Sequence, residues 1–327
     1  MPLLGLKARL RRFVVSCLRQ AIEESAIGRT PAGTQSQGTT GQSLRMLEGN
    51  EYARYAMPLD YAPSRRFSPR WGYDAPPIKA LYDWFEESKT TYRATLEEMR
   101  SHRAALLDVP ADFDTRNLPR PAWFGVPICT FDSTAIYTMV RRYRPRRYFE
   151  IGSGISTCFA YKAMQDAGLD SRIISVDPEP RAAIDAICDE VIREGLETLD
   201  VTVFDQLEEG DIVFMDGSHR SFMNSDVTVF MIDVLPRLKP GVVIHVHDIA
   251  LPWDYGDYFK NWYWNEQYLL AVYLMNARHR IDPLFPTQFV CREASFADWF
   301  ADPLIDFGRE RNGSWLGGGS MWFTHKG

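Results

Sequence analysis

The chain has 327 residues, of which 45% are apolar and 24% charged, and these ordinary values exclude collagen-like, disordered and disulfide-scaffold proteins. Its 37 basic and 43 acidic side chains give a formal net charge of −6, so the chain lacks the basic field on which nucleic-acid binding depends. Five scattered cysteines without a C-x-x-C pair indicate reduced thiols rather than a zinc site or a disulfide framework.

A basic amphipathic helix is predicted over residues 3–25, within an N-terminal segment 1–27. Its apolar residues recur at spacings of three and four, and basic residues fill most other positions. Two interpretations stay open: the helix lies peripherally on an anionic inner membrane surface, or it packs on the protein itself or on a partner subunit. Because no run approaches the ~20 apolar residues of a membrane span and arginines interrupt the apolar residues, we expect a cytoplasmic protein.

Residues 28–43 contain four glycines and no large apolar side chain, which predicts a flexible linker. Residues 44–129 follow as a helical accessory region. Pro77 stands where a helix can begin, and one long helix is predicted beyond it. Its apolar residues are Leu81, Trp84, Phe85, Tyr92, Leu96, Met99 and Leu106.

Residues 130–327 alternate short β-branched runs with helical segments, which predicts βαβ units. The predicted strands are Arg147–Ile151, Arg172–Val176, Asp200–Val203, Asp211–Met215 and Val242–Val246. The predicted helices are Ser156–Asp166, Arg181–Arg193 and Phe222–Leu235. Ser320–Thr324 follows three glycines and is expected to be antiparallel. The predicted fold class is α/β, a Rossmann-like doubly wound sheet that is mostly parallel, preceded by the N-terminal helical region.

The first of these strands runs into a glycine-rich turn, where a ligand can approach the backbone at a helix N-terminus. An acid precedes the turn at Glu150, where it could meet a cationic ligand group, and Asp177 ends the second strand, where it can bind ribose hydroxyls. Thr157 stands in place of the third glycine of a dinucleotide fingerprint. The pattern favours a binding site for a nucleoside-containing cofactor over the alternative that the glycines only allow a tight turn.

Further motifs follow in order: V-D-P at 176–178, D-G-S-H at 216–219, L-K-P-G at 238–241 and H-D at 247–248. With these motifs, residues 130–327 resemble the class I S-adenosylmethionine-dependent methyltransferases. Within that class the chain is similar to a bacterial branch related to the macrocin-type sugar O-methyltransferases. The resemblance implies S-adenosylmethionine as cofactor. The cofactor-binding residues that we assign are Glu150, Gly152, Ser153, Gly154, Ser156, Asp177, Asp205 (near adenine) and Asp216.

The histidines and acids after the fourth and fifth strands are expected at the ligand-binding edge of the sheet. A histidine near its ordinary pKa can take the proton of an acceptor hydroxyl. We predict His219 as the catalytic base, with His247 as second choice and Asp248 as a catalytic partner. The alternative is that these histidines only cap helices or bind loop carbonyls. His245, on the same strand face as His247, is expected to be buried and structural.

A divalent metal is not expected to be essential. In the macrocin-type relatives, an aspartate and a later acidic pair bind Mg²⁺, but here His247 replaces one acid of the pair. Mg²⁺ prefers oxygen ligands, so Asp216, His247 and Asp248 would suit a softer ion. The predictions therefore name no metal ligand.

Eight aromatic residues lie in the segment from Trp253 to Tyr268. They are interpreted either as the wall of a small-molecule or glycan acceptor pocket or as packing beneath the N-terminal helices. Methyl transfer to a hydroxyl of a sugar, polysaccharide or glycolipid is the predicted function. Two alternatives stay open: an NAD-dependent oxidoreductase, and a non-catalytic nucleoside-binding partner protein.

Overall fold

A computed structural model describes residues 69–180, 183–256, 259, 262–301 and 317–326. The helix predicted over residues 3–25, its membrane or subunit contact, and the linker 28–43 lie outside these residues. In the part of the chain that is described, no helix is long and apolar enough to cross a membrane.

Helices flank one mixed sheet. The strands are β1 Arg147–Ile151, β2 Arg172–Val176, β3 Glu190–Ile192, β4 Ile212–Met215, β5 Val243–His247, β6 Ile281–Pro286 and β7 Ser320–His325. The helices are α1 Lys79–Glu87, α2 Lys89–Ser101, α3 Arg103–Leu106, α4 Thr130–Tyr143, α5 Ile155–Asp166, α6 Asp226–Val229, α7 Glu266–Ala277, α8 Thr287–Arg292 and α9 Ala297–Ala301. A π-helical turn, Phe230–Val234, and a 3₁₀ turn, Leu235–Arg237, continue α6.

The strand order is β3-β2-β1-β4-β5-β7-β6. The pairs from β3 through β5 are parallel, and β7 runs antiparallel between β5 and β6. This arrangement confirms the predicted Rossmann-like sheet and its antiparallel C-terminal strand. Every residue of β4 and β5 is buried, as expected for strands that are covered on both faces.

The helices before residue 130 share their hydrophobic core with the sheet. The ring of Tyr92 lies 6.3 Å from that of Phe285 in β6 and 6.1 Å from that of Phe289 in α8. Phe85 also packs on Phe289, at 5.7 Å. The prediction of one long helix was wrong, because the helix is interrupted at Ser88 and at His102. The interruption at Ser88 lets aromatic rings of both α1 and α2 reach the same partner.

The third strand was predicted in the wrong place. Residues 200–203 contain β-branched side chains, but they lead into a 3₁₀ turn, Val201–Gln206, which Asp200 caps by accepting the N–H of Thr202 at 3.0 Å. The observed β3 lies earlier, within the segment predicted as a helix over Arg181–Arg193. The short strand β6 was not predicted, since it contains Pro283 and Pro286 and has a register shift after Pro283, a pattern tolerated only at a sheet edge.

Candidate functional site

The turn between β1 and α5 brings three strand ends together. Gly152 has a φ of +80°, and a Cβ at this position would lie 1.8 Å from the carbonyl oxygen of Asp216. The Gly152 N–H donates to the carbonyl of Val176 at 3.0 Å, and the Asp216 N–H donates to that of Ile151 at 2.9 Å. The ends of β1, β2 and β4 thus meet where the strand order reverses, which is where open α/β sheets bind ligands.

A cavity of about 530 Å³ lies beside this turn, a volume within the usual range of ligand sites. Six of the predicted cofactor residues line it: Gly152, Ser153, Gly154, Ser156, Asp177 and Asp216. A Cβ added at Gly154 would meet no atom within 4 Å, so a ligand can approach the backbone closely there. Other walls come from residues before α4, after β3 and before α6, among them Ile128, Leu196 and Ser225.

Asp177, directly after β2, holds the shape of the turn. Its Oδ2 accepts the Ser153 N–H at 2.9 Å, and its Oδ1 accepts the Glu179 N–H at 2.8 Å. Each carboxylate oxygen can accept a second hydrogen bond. Asp177 can therefore keep these contacts and still bind hydroxyl groups in the cavity.

Glu150 lies behind the turn and is fully buried. Burial raises its pKa to about 8, and the charges of Asp216 and Asp177 act in the same direction, against a hydrogen bond from the Ser156 hydroxyl. Its Oε2 has no hydrogen-bond partner among the described residues. A cationic group nearby would favour the ionised carboxylate.

Asp205 is not among the residues that line the cavity. Both of its carboxylate oxygens accept hydrogen bonds from Nη1 of Arg237 at 3.0 Å. Because residues 201–206 form a turn rather than a strand, Asp205 does not follow a strand end. Leu196 and Glu197 line the cavity on the side that follows β3.

Two aspartates and a histidine converge where β4 and β5 end. The Nε2 of His219 lies 3.5 Å from Oδ1 of Asp216 and 3.5 Å from Oδ2 of Asp248. One ligand atom from each of the three residues lies within 4.8 Å of the others, a spacing that fits a metal ion. From the sequence, Asp216, His247 and Asp248 were expected to suit a softer metal ion. The group that the structure brings together contains His219 in place of His247.

The ring of His219 is held among negative charges. Burial alone would lower the pKa of this histidine, but Glu266, with Oε1 2.6 Å from Nδ1, and the charges of Asp248 and Asp216 raise it to about 9. The imidazolium is therefore the favoured form of His219 at neutral pH when only these side chains surround it.

His247 lies deeper than His219, and acids surround its ring as well. Its Nδ1 is 3.6 Å from Oδ2 of Asp248 and 3.7 Å from Oδ2 of Asp216, and its Nε2 is 3.6 Å from Oδ2 of Asp132. Burial opposes the charged ring, but the surrounding carboxylates raise its pKa above the ordinary value. Asp132 in α4 is itself buried and accepts the Thr287 hydroxyl at 2.7 Å.

His245 belongs to the core, as predicted. Its ring stacks on that of Trp322 at a centroid distance of 3.8 Å, and burial lowers its pKa well below the ordinary value. This histidine is therefore neutral and has no direct contact with the cavity.

Sequence reasoning missed two buried acids, Asp132 and Glu266, which back His247 and His219 respectively. Asp132 lies near the start of α4 and Glu266 at the start of α7, far along the chain from the histidines. The only available signal was an acidic residue in the first turn of each helix. That position is common for helix-stabilising acids and does not indicate a site.

The aromatic segment packs in two places. Trp253 packs beneath the early helices, 6.4 Å from the Tyr82 ring and 6.5 Å from the Phe289 ring. Trp264 lies against His219, with ring centroids 4.0 Å apart. One end of the segment therefore supports the core, and the other covers the histidine.

Comparisons with known proteins match part of the chain. Residues 149–249 match a family model described as "Methyltransferase domain". No curated protein matches the chain.

Solved structures with similar folds are distant in sequence. The S-adenosylhomocysteine-bound methyltransferase PaMTH1 of Podospora anserina shares 16% identity, with a TM-score of 0.39, over 70% of this chain and 94% of that one. An O-methyltransferase of Bacillus cereus in complex with S-adenosylhomocysteine shares 18% identity, with a TM-score of 0.34, over 63% of this chain and 90% of that one. The O-methyltransferase TomG of Streptomyces achromogenes, in complex with S-adenosylmethionine, shares 17% identity, with a TM-score of 0.33, over 71% of this chain and 90% of that one.

Asp132 should stabilise the fold through His247. Burial raises the pKa of Asp132, but His247 lowers it more, to about 2 from the ordinary 3.8, so its contribution is full above about pH 4 and is lost as the pH falls toward 2. Asp132→Asn should lower the free energy of unfolding by about 2 kcal/mol at neutral pH, because a downward pKa shift of nearly two units corresponds to about that much stabilisation of the folded state.

The measurement is urea unfolding of both proteins between pH 7 and pH 2. We expect the difference between them to shrink below pH 4. A difference that stays constant down to pH 2 would contradict the Asp132–His247 ion pair.

Proposed function

We propose that the protein is a class I S-adenosylmethionine-dependent methyltransferase, since residues 149–249 match the methyltransferase-domain model, and that it transfers the cofactor's methyl group to a hydroxyl of a small-molecule acceptor. The observation that carries this proposal is the position of Asp216. It lines the cavity beside the glycine turn, and its carboxylate also belongs to the cluster with His219 and Asp248. A ligand in the cavity therefore has groups that can move a proton beside it.

The residues around the cavity fit the cofactor. Asp177 has acceptor capacity for ribose hydroxyls, and Oε2 of Glu150 is a buried acceptor that a cofactor ammonium group would satisfy. Gly152 and Gly154 leave room at the N-terminus of α5. The cofactor supplies a methyl group on a reactive sulfonium, so the chain has to align the acceptor and take up its proton.

His219 is the first candidate for that proton. Because its imidazolium is the favoured form at neutral pH, the ring first has to release the proton on Nε2 to solvent, and Nε2, 3.5 Å from Oδ1 of Asp216 at the cavity wall, can then take the proton of the acceptor hydroxyl. His247 is the second candidate: its Nδ1 lies 3.7 Å from Oδ2 of Asp216, slightly farther than Nε2 of His219 lies from that carboxylate, and its Nε2 faces the buried Asp132. Asp248 lies within 3.6 Å of both rings. Its charge would stabilise either imidazolium as the methyl group leaves the cofactor.

A divalent cation would be held by Asp216, His219 and Asp248, whose two carboxylates and one imidazole suit Mn²⁺ or Zn²⁺ better than Mg²⁺. Such an ion would act as a Lewis acid toward the acceptor oxygen. The Nε2 of His219 can bind a cation or accept a proton, but it cannot do both at once. Base catalysis and tight metal binding therefore exclude each other at this atom.

A carbohydrate or glycolipid acceptor stays a hypothesis within this proposal. What supports it is the aromatic segment, above all Trp264 beside His219, because flat rings suit the apolar faces of sugars. The test is transfer of labelled methyl groups from the cofactor into a lysate or glycan library, followed by mass analysis of the product. Absence of labelled product from every acceptor class would count against methyl transfer.

The alternative of an NAD-dependent enzyme is disfavoured by Thr157, which replaces the third glycine and whose hydroxyl accepts the Gly154 N–H at 3.1 Å. Calorimetry separates the two cofactors: S-adenosylhomocysteine should bind and NAD should not. The reverse result would overturn the proposal.

Asp177→Ala should weaken S-adenosylhomocysteine binding by about 1.5–3 kcal/mol, the usual cost of lost charge-assisted hydrogen bonds. Isothermal titration measures the change. The matched control is Asp205→Ala, which removes an aspartate that lies outside the cavity and should leave the affinity unchanged. Equal losses in both variants would show that the assignment of Asp177 is wrong.

Mg²⁺ should not be strictly required, because an imidazole stands among the donors of the cluster. Enzyme treated with EDTA should keep its activity, whereas Zn²⁺ should inhibit by occupying Nε2 of His219. Rates are compared after EDTA and after addition of each ion. If EDTA abolishes activity and Mg²⁺ alone restores it, the cluster is an essential magnesium site.

His219→Ala should lower kcat by about 10²–10⁴, the usual contribution of a general base, and leave the affinity for S-adenosylhomocysteine within about twofold, because the loss falls in the transition state. The control is His279→Ala, at an exposed position. A near-normal kcat in the His219 variant would make His247 the candidate base.

A further inference from the structure

Glu266 reaches His219 from the first position of α7. Its Oε1 lies 2.6 Å from Nδ1 of His219 across 47 residues of sequence, and the residue is fully buried. It also lies outside residues 149–249, which match the methyltransferase domain. We propose that Glu266 is a positioning residue of the reaction, which holds the His219 ring with Nδ1 toward α7 and Nε2 toward the cavity. This inference rests on the proposed function.

The backbone around His219 is fastened to the same segment. His219 adopts a φ of +62°, a left-handed conformation that a non-glycine residue keeps only when its surroundings enforce it. Its carbonyl accepts the Asn265 N–H at 2.9 Å. The Asn265 side chain in turn accepts the Ser221 N–H at 2.7 Å, and Arg220 donates to the Trp262 carbonyl at 2.9 Å. The residues before α7 therefore hold this strained loop in place.

Three contacts then fix the ring itself. Glu266 binds Nδ1, Trp264 lies against one face at 4.0 Å, and the backbone anchors the Cα. With Nδ1–H bound to the carboxylate, Nε2 is left to face Asp216, which lines the cavity, and Asp248. Carboxylates that bind the far nitrogen of a functional histidine set its tautomer and orientation in this way.

A purely structural role explains Glu266 poorly. Burying a carboxylate is costly, and an apolar residue of similar size often gives equal or better stability. The Oε2 of Glu266 has no hydrogen-bond partner among the described residues, so the hydrogen bond that the structure shows for this carboxylate is the one to His219. Asp254 is an example of a buried acid with a structural role, because its two carboxylate oxygens accept the Trp71 N–H at 3.0 Å and the Tyr268 hydroxyl at 2.9 Å.

The test compares Glu266→Gln, which preserves shape, with Glu266→Asp, Glu266→Ala and the control Asp254→Asn, another buried acid close to α7. The first readout is the imidazole N–H spectrum of ¹⁵N-histidine-labelled protein. Wild type should show an exchange-protected, downfield Nδ1–H signal, assigned by its loss in His219→Ala. That signal should shift or vanish in Glu266→Gln and Glu266→Ala and persist in Asp254→Asn.

The second readout is steady-state methyl transfer, with S-adenosylhomocysteine affinity measured beside it. Glu266→Gln should lower kcat about 10–100-fold, the usual effect of losing a carboxylate behind a functional histidine. Its affinity for S-adenosylhomocysteine should stay within about twofold, and Glu266→Asp should recover part of the rate.

A folded Glu266→Gln protein with the wild-type N–H signal and wild-type kcat would overturn the inference. So would equal losses of kcat in Glu266→Gln and Asp254→Asn without a change in the signal. If the wild type transfers no methyl group, the proposed function fails, but the N–H signal still decides whether Glu266 orients His219. The two failures are therefore distinguishable.

Discussion

The close approach of Gly152 to Asp216 joins the glycine turn after β1 to the cluster of Asp216, His219 and Asp248. A Cβ at Gly152 would overlap the carbonyl oxygen of Asp216, 1.8 Å away, so the turn after β1 can rest on the end of β4 only because residue 152 is glycine. The same contact that shapes the glycine turn thereby sets the position of the Asp216 backbone. Under the proposed function, cofactor binding and acid–base chemistry would share one backbone contact at the switch point of the sheet.

Charge balance is the second constraint at this edge. The two aspartates after β4 and β5 would repel each other in a partly buried site, and the rings of His219 and His247 lie between or beside them. Each ring also faces one buried acid on its far side, Glu266 or Asp132. Carboxylates and imidazole rings therefore alternate in this cluster, and removing any one of these side chains disturbs the charge balance of its neighbours.

Much of the fold and part of the site could be predicted from the sequence, because they depend on local patterns. Strand β1 and its glycine turn are adjacent in the chain, Asp177 directly follows β2, and their proximity follows from the ends of parallel strands meeting at one edge of the sheet. Asp205 could not be placed correctly, since its assignment depended on a strand that proved to be a turn stabilised by Asp200. Asp132 and Glu266 could not be found, because only tertiary packing brings them to the histidines.

The missed acids show how the segments around residues 149–249 contribute to the candidate site. Residues 149–249 hold the glycine turn, both aspartates and both histidines, but neither histidine is oriented within that span alone. Asp132 comes from the helix before β1, and Glu266 from the helix after β5. Residues 149–249 supply the aspartates and histidines at a sheet edge where many unrelated enzymes bind ligands, and the flanking helices supply the buried acid that each histidine ring faces on its other side.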